Sequence, residues 1–336
     1  MPEPTVGSYA AGDLVLEGGM TLPGAELVYA THGRLSPARD NVVVFPTRFG
    51  GVHGDNEYLI GPGHALDPER WFIVVPNMLG NGVSTSPSNA DPPFAGARFP
   101  LVTPADNAEL QARLLREVLD VHRVQLVVGW SMGGQQAYHW ASMYPELVER
   151  LAVICGAART APHTHVFLEG MRAALCADQV WSRDHGMTPP TRGLRALGRA
   201  WAGWALSQSW YRRSGWEQLG YSSLEDFLVQ YWEAMYLSRD AGNLVAMIRT
   251  WQACDVGAAH DGDYEVAMRA IAARTVVMPA RTDLYFPPED AEAEVALLSD
   301  ARLEVIPSDW GHYAGGGRDP EDTAFIDSRL ERLLAS

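Results

Sequence analysis

The stretch Gly129-Trp130-Ser131-Met132-Gly133-Gly134 decides the reading of this chain. An apolar run, Val124-Gln125-Leu126-Val127-Val128, precedes it, and a helix-like run from Gln135 to Tyr144 follows. Strand, Gly-x-Ser-x-Gly and helix in that order describe a nucleophile elbow. Its serine occupies a strained turn that lifts the hydroxyl above a sheet. A side chain at Gly129 or Gly133 would crowd the adjoining strand and helix. The Met132 amide opens the helix and is free to donate to an oxyanion. An ordinary Gly-rich turn would carry the same glycines without chemistry; the flanking strand and helix favour the catalytic reading.

Outward from the elbow, seven short apolar runs read as strands: Leu27–Ala30, Asn41–Phe45, Trp71–Pro76, Gln125–Val128, Leu151–Cys155, Arg274–Met278 and Arg302–Ile306. Continuous β-branched runs, rather than alternation, predict strands covered on both faces. Between some of them lie helical patterns. Thr103 to Val121 spaces Leu110, Leu114, Leu115 and Val118 as a helix does, with Asp106 near its positive end. The tail from Asp319 to Leu334 places Phe325, Ile326, Leu330 and Leu333 on one face. The expected fold class is α/β: a mostly parallel sheet with antiparallel strands near the N-terminus. The rhythm breaks over residues 160–255, which show helical stretches, no convincing strand, and seven of the eleven tryptophans. The expected organisation is a core of residues 1–159 and 256–336 with a helical lid, 160–255, inserted between them.

A serine hydroxyl needs a base, and the base needs an orienting acid. Pro279-Ala280-Arg281-Thr282-Asp283 follows one strand and Asp309-Trp310-Gly311-His312 follows the next. Asp283 is therefore expected to hold His312, and His312 to take the proton of Ser131. Glu289, Asp290 and Asp309 are the rival acids; His53, His139, His185 and His260 are the rival bases. His260-Asp261-Gly262-Asp263 also offers metal-ligand residue types, but a lid-to-core loop is the better explanation, and no metal is expected. A second oxyanion donor is required after the strand ending at Phe45, and the Thr47 backbone N–H is the candidate beside that of Met132. Arg48, Trp130, Trp204 and Tyr313 are the candidate substrate contacts.

Composition narrows the setting. The 336 residues are 47% hydrophobic, enough for one large domain or a core with an insertion. With 26 Lys+Arg against 41 Asp+Glu, the net charge of -15 repels nucleic acid and anionic lipid, so neither is an expected partner. No signal peptide and no membrane span are expected. Cys155, Cys176 and Cys254 are sparse and unclustered, the pattern of reduced thiols in a cytoplasmic protein.

Together these motifs resemble the homoserine O-acetyltransferase family of α/β-hydrolases, over most of the chain. The resemblance rests on Pro76-Asn77-Met78-Leu79-Gly80-Asn81-Gly82 with Ser84-Thr85-Ser86-Pro87-Ser88, and on Phe99-Pro100-Leu101-Val102-Thr103 with Asp106. It continues through the elbow to Gln135-Gln136-Ala137, Tyr144-Pro145-Glu146, Ala157-Ala158-Arg159 and Asp283-Leu284-Tyr285-Phe286-Pro287-Pro288. It implies a helical lid, an acyl-Ser131 intermediate and a homodimer. It also implies acyl transfer from coenzyme A to homoserine in some members and plain ester hydrolysis in others. Here Tyr313 stands where the transferases carry an Asp after the histidine, and Ala105 where they carry an Arg. Unpaired, a substrate ammonium would be costly to bury. The stretch Gly203 to Arg212 resembles the esterase branch. The first expectation is a serine esterase acting on small, short-chain acyl esters without a cofactor. The alternative is a coenzyme A-dependent O-acyltransferase, with the thioester as co-substrate, acting on homoserine or another alcohol.

Overall fold

The computed structural model describes residues 3–184 and 188–336. Eight strands form one sheet in the order β1-β2-β4-β3-β5-β6-β7-β8. β1 (Thr5–Val15) and β2 (Thr21–His32) make an antiparallel hairpin, and β2 pairs antiparallel with β4 (Phe72–Pro76). The remaining pairs are parallel, through β3 (Val42–Val44), β5 (Leu126–Trp130), β6 (Arg150–Ile154), β7 (Arg274–Met278) and β8 (Ala301–Leu303). Every residue of β4 and β5 is buried, as their unbroken apolar runs require. Strand β1 departs from expectation. Only Tyr9 and Leu14 of its eleven residues are buried, so it carries no apolar run; pairing with β2 makes it a strand. β8 is shorter than its apolar run, and Ile306 returns as a single bridge to Ala280.

Helices cover both faces. Helix α1 (Pro104–Glu117) starts on a reciprocal capping box. The Asp106 N–H donates to Thr103 Oγ1 at 3.2 Å and the Thr103 N–H donates to Asp106 Oδ2 at 2.8 Å. Asp106 is thus a cap as well as a charge near the helix dipole. Helix α2 (Met132–Met143) leaves the elbow and is buried almost throughout. The C-terminal helix Pro320–Leu334 turns Ile326, Leu330 and Leu333 onto the opposite face of the sheet.

Among the described residues, 160–255 contains helices and no strand. They include α3 (Pro162–Cys176), Thr191–Ala205, Ala241–Gln252 and a π-helical turn, Leu228–Glu233. The chain departs and returns at one place. The Thr160 N–H donates to Cys254 O at 2.9 Å, the Val256 N–H donates to Ala158 O at 3.1 Å, and Arg159 pairs with Asp255 at 2.8 Å. The helices share an aromatic cluster with Met132, Ala157, Tyr285 and Phe286, which follow β5, β6 and β7. They therefore sit over the C-terminal ends of the parallel strands, where α/β sheets place their sites. No helix among the described residues is long and apolar enough to cross a membrane.

Candidate active site

β5 delivers Ser131 in the elbow at φ 59° and ψ −127°, a conformation that side chains rarely adopt. Close packing holds it there. A Cβ on Gly129 would lie 2.0 Å from the Gly133 carbonyl oxygen, and one on Gly133 would lie 2.5 Å from that of Pro46. The Ser131 N–H donates to Ile154 O at 2.9 Å, tying the turn to β6.

The loop after β7 carries Asp283 and the turn Gly311–Gly315 carries His312. All three side chains are buried and form one chain. His312 Nε2 lies 2.9 Å from Ser131 Oγ, and His312 Nδ1 lies 2.8 Å from Asp283 Oδ2. Asp283 Oδ1 accepts the N–H of Tyr285 at 2.8 Å and that of Phe286 at 3.3 Å, which fixes the carboxylate plane. An ionised carboxylate only accepts, so Nδ1 of a neutral ring carries the proton and Nε2 presents its lone pair to the serine hydroxyl. Trp130 stacks on the imidazole, with ring centres 5.3 Å apart.

None of the rivals among the described residues joins this chain. Asp309 pairs with Arg213 and Arg281, each at 2.7 Å. Glu289 and Asp290 are exposed at the start of the helix Pro288–Val295. His53 contacts Asn77 at 3.1 Å, His139 is buried against Gln135 O, and His260 contacts Ser142 at 2.9 Å. His185 lies outside the described residues. Cys155 brings its sulfur within 4.8 Å of ligand atoms of Asp283 and His312. Burial, and then the Asp283 charge, push its thiol well above the usual range. A metal takes the thiolate, so this donor set does not suit one.

A cavity of about 60 Å³ opens above Ser131. Arg48, Trp130 and Tyr313 line it, together with Trp201, Arg239 and Tyr285. Trp204 does not line it; that ring packs on Phe167 at 4.7 Å and His163 at 5.2 Å. Trp201, three residues earlier on the same helix, faces the cavity instead. Arg48 sits 5.0 Å from the Trp130 ring, donates to Phe49 O at 3.0 Å and lies 3.5 Å from Asp55. Arg239 donates to Gly50 O; burial, and then the charge of Arg48, lower its pKa. Sequence reasoning missed Arg239, because an arginine ahead of a helix-capping Asp240 is commonplace.

The loop after β3 alters one expectation. The Thr47 N–H is committed to Pro76 O at 3.3 Å, its hydroxyl accepts the Met78 N–H at 3.0 Å, and its carbonyl accepts Gln136 Nε2 at 2.9 Å. Thr47 therefore braces the loop. The next amide, on Arg48, has no backbone partner among the described residues, and Arg48 lines the cavity where Thr47 does not. The loop packs on the first turn of α2, where the Pro46 and Thr47 carbonyls face Gly133.

Comparison with known proteins agrees with this geometry. The α/β-hydrolase fold family matches residues 40–316. The chain is 33% identical to an ethyl acetate hydrolase of Pseudomonas veronii, over 97% of this chain and 94% of that one. The crystal structure of an acetylester hydrolase from Corynebacterium glutamicum superposes with a TM-score of 0.95 at 33% identity, covering 99% of this chain and 96% of that one. A homoserine O-acetyltransferase of Symbiobacterium thermophilum is 34% identical over 90% of this chain and 87% of that one. The chain belongs to the α/β-hydrolase family, on the esterase-like branch of the group that also holds the homoserine O-acetyltransferases.

Proposed function

We propose that this serine hydrolase cleaves short-chain, acetyl-type esters, with Ser131 as nucleophile, His312 as base and Asp283 as its orienting acid. The observation that carries the roles is the continuous Ser131–His312–Asp283 hydrogen-bond chain at 2.9 and 2.8 Å. Ser131 Oγ attacks the ester carbonyl as its proton passes to His312 Nε2. The amides of Met132 and Arg48 receive the oxyanion, each donor contributing about 3–4 kcal/mol to the transition state. As the carbonyl re-forms, the alcohol leaves with the proton from His312, and acyl-Ser131 remains. Water then attacks, again through His312, and the acid departs. Cavity size supports a small substrate: about 60 Å³ holds roughly four to six waters. The esterase relatives support the acetyl-type class.

Residues 160–255 act in this reading as a lid. Its aromatic rings exclude water and strengthen the electrostatics beneath them. Arg48, Trp130 and Tyr313 contact substrate. The enzyme works in the cytoplasm without a cofactor, as a homodimer, on a small ester rather than nucleic acid or membrane; the net charge of -15 supports the last two exclusions.

Ser131→Ala tests the roles: ester turnover is expected to fall by about 10⁵–10⁶-fold with the fold retained. Persistent turnover would overturn the nucleophile. The transferase relatives favour a second reading, a coenzyme A-dependent O-acyltransferase acting on homoserine or another alcohol. Acyl-enzyme presented with water alone separates the two, since rapid release marks the esterase and accumulation until an alcohol is added marks the transferase.

A further inference from the structure

The pairing that β7 and β8 begin stops short of the active site. It ends with the bridge between Ala280 and Ile306 and with the Arg281 N–H, which donates to Ile306 O at 3.0 Å. Asp283 and His312 lie beyond it, on two loops that strand pairing no longer joins. The Thr282 hydroxyl spans that gap. It donates to Ser308 O at 3.0 Å and accepts the N–H of Gly311 at 3.1 Å. A hydroxyl both donates and accepts, and both capacities are used here. Three consecutive residues thus reach across: Arg281 to Ile306 by its backbone, Thr282 to Ser308 and Gly311 by its hydroxyl, and Asp283 to His312 by its carboxylate. The strap 308–311 is held on its other sides too. Ser308 Oγ donates to Asp322 Oδ2 at 2.5 Å and accepts the Trp310 N–H at 3.1 Å. A Cβ on Gly311 would lie 2.8 Å from Ala205 O in the helical segment. Arg281 also reaches the strap, through Asp309 at 2.7 Å, but from a long and exposed side chain. The Thr282 side chain is short, β-branched and stiff at its single torsion, so its bonds fix one loop against the other.

We infer that Thr282 is a positioning residue: its hydroxyl sets the separation between the Asp283 loop and the His312 turn, and so keeps the imidazole in line with Ser131. This rests on the esterase reading above. The bond to the Gly311 N–H acts one residue before His312, and the hydroxyl itself sits one residue before Asp283. Thr282 acts on acid and base through the chain and touches no reacting atom. The same imidazole takes the proton of Ser131 during acylation and that of water during deacylation, so a displaced ring slows both half-reactions. The signature is a fall in kcat with little change in KM.

Thr282→Val keeps the shape and removes the hydroxyl, Thr282→Ser keeps the hydroxyl and removes the methyl, and Arg281→Gln cuts the surface link alone. The test measures kcat and KM for ethyl acetate, and the thermal midpoint, beside wild type and Ser131→Ala. Thr282→Val is expected to lose about tenfold to a hundredfold in kcat with KM within about twofold, while Thr282→Ser and Arg281→Gln stay within about threefold of wild type in both. A smaller loss in Thr282→Val, beside an active wild type, overturns the inference and leaves the esterase reading standing. So does a loss carried by KM, or an equal loss in Thr282→Ser, because neither traces to a hydroxyl that aligns the base. An equal loss in Arg281→Gln overturns it as well, by giving the spacing to the surface pair. If the midpoint shows Thr282→Val unfolded at the assay temperature, Thr282→Ala takes its place in the same comparison with Thr282→Ser. Absence of Ser131-dependent turnover in wild type defeats the esterase reading, and the Thr282 inference falls with it.

Discussion

The sheet and the helices above it bury their surfaces with different chemistry. Around the sheet the cores are mainly aliphatic, with Val43, Val44, Val127, Val128, Ile154 and Leu330 all essentially inaccessible. Over the strand ends the cluster is aromatic: Trp201, Trp210, Phe227, Trp232, Tyr236 and Trp251 pack ring against ring. Aliphatic side chains fill space without leaving polar atoms behind. Aromatic ones cover more area but bring N–H and O–H groups, and the Trp210 and Trp251 ring nitrogens and the Tyr285 oxygen have no partner among the described residues. The cavity forms where the two kinds of packing meet. Its reacting groups come from loops at the sheet's strand ends, while Trp201 and Arg239 in its wall come from the helical segment. The reacting groups therefore come from one part of the fold, while both parts contribute to the cavity wall.

Four substitutions probe that division, in descending order of effect. Gly129→Ala strikes the sheet side hardest. Its Cβ would lie 2.0 Å from a backbone oxygen that cannot move without displacing α2, and the expected outcome is insoluble or unfolded protein, a loss above about 4 kcal/mol. Soluble protein with a native circular-dichroism spectrum would show that the elbow yields more than its packing implies.

Glu294 probes the seam. It is buried, its Oε1 accepts the Ala158 N–H at 2.7 Å where the chain leaves the sheet, and its Oε2 has no partner among the described residues. Burial, only partly opposed by the Ala158 hydrogen bond, raises its pKa from 4.5 to about 7. Between these values the folded protein holds a proton that the unfolded chain releases. The contribution to stability is thus full below pH 4.5 and is lost as pH rises through about 7, by up to about 3 kcal/mol. Glu294→Gln is expected to flatten that decline, leaving the shallower slope of Asp322, which burial raises to about 6. Urea midpoints at pH 5 and pH 8 measure it; an unchanged difference between them would remove Glu294 as the source.

Thr103→Ala deletes half of the α1 capping box and is expected to cost about 1 kcal/mol in urea denaturation, with ester turnover unchanged. The smallest effect belongs to the outer surface of the helical segment. There Glu225 pairs with Arg199, which also pairs with Glu233. Glu225→Gln is expected to leave the denaturation midpoint within error, because solvent and salt screen an exposed pair. A clear fall would mean that the network anchors the helices.

Legibility in the sequence followed the same division. Continuous apolar runs marked the parallel strands, since burial on both faces admits little else. Gly129 and Gly133 marked the elbow, since no other residue fits. Strand β1 was silent: an exposed hairpin strand needs a partner rather than a pattern. Trp201 and Trp204 lie one helical turn apart, and only packing shows that Trp201 is the one that borders the cavity. The amides of the loop after β3 look alike in sequence, and only the bond from the Thr47 N–H to Pro76 O separates them.

The sequence by itself determined the strand order of chemistry, nucleophile then acid then base, because each residue must sit just beyond a strand and local pattern reveals strand ends. Tertiary structure alone decided which amide, which indole and which arginine border the cavity. Those choices depend on distances between segments up to two hundred residues apart, such as Gly50 and Arg239, and no local pattern encodes them.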